Sequence, residues 1–121
     1  TGTPWFYVND NYRQINVASQ DEDLNSVLNF YRLAIALRKR LSCVRWGTYK
    51  EYTRGSRWLY QYSMRDSRQR ILVICSFSSR RQRYKAPKDF QLDQGKLILC
   101  NYQDPIPGTL QPYETRVYLW K

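Results

Sequence analysis

Apolar side chains recur every three or four residues in one stretch of the first third of the chain. Val27, Tyr31 and Ala34 follow this spacing, which places them on one side of an α-helix. Basic residues at positions 38–40 suit the negative end of a helix dipole. The pattern therefore predicts one long helix over residues 25–41.

Residues 1–23 show no clear period, and we expect them to form an irregular loop. The end of this loop supplies the predicted helix cap, because Asp23 or Asn25 can accept a hydrogen bond from a free backbone N–H of the first turn. Three adjacent aromatic residues at positions 5–7 would be costly to leave in water, so we expect something to cover them.

Beyond Gly47 the period falls to two, which is the period of a β-strand. Trp58, Tyr60 and Tyr62 alternate with other side chains, and we expect this aromatic face to pack in the core. Residues 71–77 are apolar on both faces, which predicts a central, covered strand. Further strands are predicted over residues 48–53, 96–102 and 115–120. The whole pattern predicts an α+β fold, mainly β, in which one long helix precedes an antiparallel β-sandwich.

Charge and aromatic content raise two binding hypotheses. The chain has 121 residues, a formal net charge of +10, 11 tyrosines and 4 tryptophans. Basic, aromatic-rich surfaces are typical of nucleic-acid binding, and aromatic rings also stack on sugars. Arg65, Arg68 and Arg70 together with the run 80–85 could form a phosphate-binding patch, although a solvated hairpin tip is the preferred interpretation of that run.

The residues present limit the available chemistry. The chain has no histidine, which excludes a histidine base or a zinc site that needs histidine. Cys43, Cys75 and Cys100 follow no metal or disulfide spacing, so we interpret them as buried thiols of a cytoplasmic protein. Glu114 stands at the start of a strand, where we expect it to accept backbone hydrogen bonds. No catalytic, cofactor-binding or metal-binding residue is predicted, and the apolar run 71–75 is far shorter than the roughly 20 residues that span a membrane.

Short motifs in the first half resemble one enzyme family. Residues 1–5 (TGTPW), 8–12 (VNDNY) and 15–17 (INV) resemble the segment after the last barrel strand of α-glucosidases. The resemblance is strongest to oligo-1,6-glucosidases of the α-amylase superfamily of glycoside hydrolases. Asp10 departs from the pattern, since the family usually has proline there.

Later motifs also resemble that family, and they follow one another in the same order as in its members. The segment that resembles the final barrel helix of that family contains residues 26–28 (SVL), 31–32 (YR) and 37–39 (LRK). The segment that resembles the family's C-terminal β-domain contains residues 47–49 (GTY), 72–74 (LVI), 77–78 (FS), 97–102 (LILCNY) and 110–118 (LQPYETRVY). Residues 79–93 match poorly and are expected to form a variable loop.

The resemblance implies a fragment made of two parts. Residues 1–46 would be the end of a (β/α)8 catalytic barrel, and residues 47–121 a C-terminal β-sandwich domain. The catalytic carboxylates of the family lie on earlier barrel strands, so this segment would be a non-catalytic, stabilising part of a retaining α-glucosidase. Asn9, Asn11 and Tyr12 would lie near the rim of the barrel, close to substrate.

The same resemblance implies the partners. These would be the catalytic barrel of the parent chain and, through it, α-glucoside oligosaccharides with no cofactor. The helix stripe would also allow self-association of the isolated chain. A membrane or nucleic-acid partner is not expected, and the alternative function is a basic, aromatic-rich β-module that binds nucleic acid or carbohydrate.

Overall fold

A computed structural model describes residues 2–121, which divide into two compact units, one ending at Leu37 and the other covering Arg38–Lys121. The predicted α+β class, with mostly antiparallel sheet and a single longer helix, is confirmed. In the described part of the chain, no helix is long and apolar enough to cross a membrane. The sandwich layout and the domain boundary at residue 46 stay predictions.

The predicted irregular loop over residues 1–23 is wrong in part. One turn of 3-10 helix covers Asp10–Arg13, and a first helix, α1, covers Val17–Glu22. Asn16 caps α1 because its side-chain oxygen accepts from the backbone N–H of Ser19 at 2.9 Å. The Ser19 hydroxyl accepts in return from the N–H of Asn16, so this reciprocal capping box holds a short helix that buries no residue.

The predicted long helix is present as α2, Val27–Arg40. The residue that caps it is Ser26, whose Oγ accepts from the backbone N–H of Asn29 at 3.2 Å, so the predicted cap at Asp23 or Asn25 is wrong. Asp23 instead accepts from the N–H of Asn25 at 2.8 Å in the turn before the helix. A serine immediately before the first helical residue is better placed for the first turn than the earlier acid.

A further short helix, α3, covers Ser42–Trp46 and was not predicted. The strands are β1 Thr48–Glu51, β2 Leu59–Arg65, β3 Arg70–Ser76, β4 Gln82–Arg83, β5 Lys96–Cys100, β6 Thr109–Leu110 and β7 Thr115–Trp120. Five of them form one antiparallel sheet in the order β1-β2-β3-β7-β5, and β4 pairs with β6.

The predicted central strand is confirmed as β3. It lies between β2 and β7, and Leu72 is paired with Ser63 on one side and with Tyr118 on the other. Leu72 and Ile74 are fully buried. They belong to a core cluster completed by the buried residues Tyr84, Phe90, Leu110, Tyr118 and Trp120. Because strand residues two apart share a face, this cluster occupies one face of the sheet.

The expected core packing of Trp58 and of the β2 tyrosines is wrong. Trp58 is 51% exposed, and Tyr60 and Tyr62 are half-buried. The side chains that β2 buries are Gln61 and Ser63, which lie beside Ile74 and Leu72 in the register with β3. The alternation was correct, but the pairing with β3 turns the polar positions of β2 towards the core and the tyrosines towards the other face.

Candidate functional site

The three residues predicted near substrate lie together on the 3-10 turn of the first unit. Asn9 caps that turn by accepting from the backbone N–H of Asn11 at 3.3 Å. Tyr12 is half exposed, and its hydroxyl accepts from Nε of Arg13 at 3.2 Å. The Arg13 guanidinium also lies 5.7 Å from the centre of the Tyr12 ring. The turn thus presents an amide, a phenol and a cation, all able to bind hydroxyl groups, and the predicted role stays a prediction.

Apolar side chains before this turn and on α2 are strongly exposed. Trp5 is 92% exposed, and its ring meets that of Phe6 edge to face at 5.3 Å. On α2, Val27, Tyr31 and Ile35 are exposed and are spaced by four residues. That spacing places them on one side of the helix, so they form a continuous apolar surface, here called the α2 stripe.

A buried ion pair organises the second unit. Glu114 and Arg116 are 0% and 1% exposed, and Nε of Arg116 donates to Oε1 of Glu114 at 2.6 Å. Oε2 of Glu114 accepts from the backbone N–H of Gln111 at 2.7 Å, which confirms the expected backbone hydrogen bond. The guanidinium also donates to the Ile106 carbonyl at 3.0 Å and to the Thr109 carbonyl at 2.7 Å. The pair therefore connects β7 with β6 and with the loops on both sides of β6.

The charge state of this pair is fixed by its surroundings. Burial raises the pKa of Glu114, but the hydrogen bonds from Arg116 and Gln111 outweigh burial, and the pKa lies below its ordinary value. Glu114 is therefore ionised near neutral pH. A general acid for glycoside cleavage needs a raised pKa, so this carboxylate is suited to a structural role.

The three thiols are free, and the structure buries Cys43 fully and Cys75 and Cys100 partly. Burial raises the pKa of all three thiols. The Cys100 thiol also donates to Oε1 of Glu114 at 3.4 Å. Protonated thiols are poor nucleophiles. Among the residues that the structure describes, no group of three or more acidic or thiol ligands is arranged to hold a metal ion.

The arginines proposed as a phosphate patch are only partly brought together. Arg65, Arg68 and Arg70 line one cleft of the second unit, whereas residues 80–85 are not among its lining residues. The predicted combination of the two groups into one patch is therefore wrong. The β2–β3 hairpin carries the first group, and the variable segment after β3 carries the second.

Comparison with known proteins finds similar enzymes over almost the whole chain. The model of the α-amylase catalytic domain matches residues 1–47. An oligo-1,6-glucosidase of Halalkalibacterium halodurans is 35% identical over 99% of the chain. The chain is homologous to oligo-1,6-glucosidases of the α-amylase family. A trehalose-6-phosphate hydrolase of Escherichia coli is 33% identical, again over 99% of the chain. The chain spans about a fifth of these relatives, 22% of each.

Solved structures of the family share the fold. Isomaltulose synthase from Erwinia rhapontici superposes with a TM-score of 0.87 at 29% identity. Trehalose-6-phosphate hydrolase from Bacillus licheniformis gives a TM-score of 0.85 at 28% identity. In both cases the match covers 98% of this chain and 22% of the other. The resemblance noted from the motifs is thus confirmed across both units.

The residue that sequence reasoning missed is Arg116. Arginine is typically exposed, yet Arg116 is among the most deeply buried side chains. The available signal was the period of two in β7, because Arg116, Tyr118 and Trp120 alternate onto one face. A cation on the same face as two large aromatics, two residues after a glutamate, predicts a buried ion pair.

Proposed function

We propose that the chain is the closing segment of a retaining α-glucosidase that hydrolyses α-glucosidic bonds in short oligosaccharides. Residues 1–46 would complete its (β/α)8 barrel, and residues 47–121 would form its C-terminal β-sandwich domain. The observation that carries this proposal is homology over 99% of the chain to an oligo-1,6-glucosidase of which the chain spans 22%. The family-model match to residues 1–47 supports the first part.

The role that we propose for this segment is stabilising and non-catalytic. Retaining hydrolysis needs two carboxyl groups about 5–5.5 Å apart, one of them a proton donor. Within residues 2–121, Glu114 is the one buried acidic side chain, and it is committed to Arg116. The nucleophile and the acid would therefore come from the rest of the parent chain. The free thiols support a reducing, cytoplasmic location.

The partner of the exposed apolar surface would be the barrel itself. The α2 stripe and Trp5 expose large apolar side chains, and a final barrel helix covers such a stripe by packing on the barrel strands. Each buried side chain of this size contributes about 1.5–3 kcal/mol. Without the barrel, the same stripe would drive self-association of the 121-residue chain.

The activity test compares two lengths of the protein. The 121-residue chain should leave a nitrophenyl α-glucoside unhydrolysed, whereas the parent enzyme should hydrolyse it with retention. Within the parent, Ile35→Asp should lower the melting temperature, because it places a charge against the barrel. The variant Ile35→Leu adds no charge and should keep the melting temperature of the parent. Hydrolysis by the 121-residue chain, or equal melting temperatures for the two variants, would contradict the proposal.

Self-association has its own measurement. Sedimentation of the 121-residue chain should show a concentration-dependent increase in mass, and Tyr31→Lys should reduce it by placing charge in the α2 stripe. A control change, Gln103→Lys, adds the same charge at an exposed position outside the helix. A monomer at every concentration would refute the role of the stripe.

We also propose that Asn9, Asn11 and Tyr12 lie near bound substrate in the parent. Asn11→Ala is the informative change, since Asn9 holds the turn through its side chain, whereas Asn11 takes part through its backbone N–H and carbonyl. Loss of one hydrogen bond is worth about 0.5–1.5 kcal/mol, so kcat/KM should fall roughly 2- to 10-fold with the melting temperature unchanged. An unchanged kcat/KM would remove Asn11 from the site.

A further inference from the structure

A cleft of about 730 Å³ opens at one end of the five-stranded sheet in the second unit. Its position follows from the strand register, in which Arg70 is paired with both Arg65 and Trp120, and Lys96 is paired with Leu119. Five cationic side chains line it, namely Arg65, Arg68, Arg70, Lys96 and Lys121.

One acidic side chain, Asp66, lines the cleft, and its carboxylate is already engaged. Oδ1 of Asp66 accepts from the backbone N–H groups of Arg68 at 2.8 Å and Gln69 at 2.9 Å, and its other oxygen accepts from the Ser42 hydroxyl. Asp66 therefore shapes the β2–β3 turn. Across residues 2–121, none of the five cations makes an ion pair, so the cleft keeps a clear excess of positive charge.

Two of the cations are held directly opposite each other. Arg65 and Arg70 are cross-strand partners, and like charges in this arrangement destabilise a sheet. Arg70 cannot move away freely, because its guanidinium lies 4.9 Å from the centre of the Phe90 ring and 5.7 Å from that of Trp120. An anion bound between the two guanidinium groups would relieve their repulsion.

We propose that this cleft binds a small phosphate-bearing anion. Guanidinium groups match phosphate oxygens through paired hydrogen bonds, and a doubly charged group offsets more of the excess charge than a carboxylate. The volume falls within the range of about 300–1,000 Å³ that is typical of small-molecule sites. Leu119 and Trp120 add apolar surface to the lining, which suits the organic part of a phosphate ester.

The test is a calorimetric titration of the 121-residue chain with pyrophosphate at constant ionic strength. Binding should be saturable with one site, and the Trp120 indole N–H resonance should shift, since Trp120 lines the cleft. Arg65→Gln with Arg68→Gln should weaken binding at least tenfold. The matched control, Arg80→Gln with Arg81→Gln, removes the same charge from exposed positions outside the cleft and should change the affinity less than threefold.

Further titrations separate the sources of the anion. Tighter binding of glucose 6-phosphate than of inorganic phosphate would identify a phosphate ester, and the reverse order would identify an inorganic anion. The proposal is overturned if the two double variants lose affinity equally, because the effect would then reflect total charge. It is also overturned if the folded chain, checked by its NMR spectrum, shows no saturable binding.

Discussion

Replacing Arg116 with methionine removes the guanidinium at the centre of the polar network while keeping an unbranched side chain. The guanidinium donates to Glu114, Tyr84, Ile106 and Thr109 at 2.6, 3.2, 3.0 and 2.7 Å. All of these bonds are lost, and Glu114, at 0% exposure, keeps a buried charge without a counter-ion. Breaking a buried pair in this way costs about 3–5 kcal/mol, a large share of the roughly 5–15 kcal/mol that stabilises a domain.

The loss should be measured by urea unfolding at pH 7, followed by circular dichroism. The control is Arg32→Met, which breaks the ion pair between Arg32 and Asp21. The side chains of these two residues are 53% and 54% exposed. An exposed pair is worth about 0–1 kcal/mol. The double variant Arg116→Met with Glu114→Gln should be more stable than the sum of the single losses predicts, because neither change then leaves a buried charge.

The stability lost in Arg116→Met should depend on pH, and the pKa of Glu114 fixes the direction of that dependence. The pKa of Glu114 is depressed in the folded chain, so the carboxylate stabilises the fold above its unfolded pKa and loses this contribution as pH falls through the folded value. In Arg116→Met the depression is lost, and the deficit should be largest near pH 7 and shrink below about pH 5. A deficit under 1 kcal/mol, additive single losses, or a deficit that does not change with pH would each refute this reasoning.

Two further predictions concern packing in the second unit. Gly95→Ala should cost about 1–3 kcal/mol in thermal unfolding, because the new Cβ would overlap the Trp120 ring, whereas Gly2→Ala meets nothing within 4 Å and should be neutral; equal melting temperatures would contradict the packing at Gly95. Leu72→Ala, at a position with 0% exposure, should cost about 2–5 kcal/mol, whereas Leu24→Ala, at 85% exposure, should stay within about 0.5 kcal/mol. Similar losses at these two leucines would show that Leu72 is not part of the core.

Sequence predicted the elements whose burial is regular. Residues 71–77 gave β3 because a strand covered on both faces needs apolar residues at every position, and α2 followed from its apolar period. The helix α1 was missed because it buries no residue and therefore carries no period. The β2 aromatics were assigned to the wrong face because alternation gives two faces without saying which one is covered.

The site residues depend on contacts that are distant in sequence. Glu114 was correctly placed because its hydrogen bond to Gln111 is local. The alternation in β7 indicates the face on which Arg116 lies, but its hydrogen bond to Tyr84 joins residues that are distant in sequence. The basic cleft is equally non-local, since the β5–β7 pairing brings Lys96 to the same sheet end as the β2–β3 hairpin.

The order of the sheet has a consequence for biosynthesis. The strand β7 follows β5 in the chain but lies between β3 and β5, so β5 has no neighbour until β7 has left the ribosome. During translation, β1, β2 and β3 can assemble as a three-stranded antiparallel meander, while both edges of β5 remain unpaired. A nascent chain stalled before residue 115 should therefore be a substrate for chaperones. Emergence of β7 from the ribosome should end that dependence.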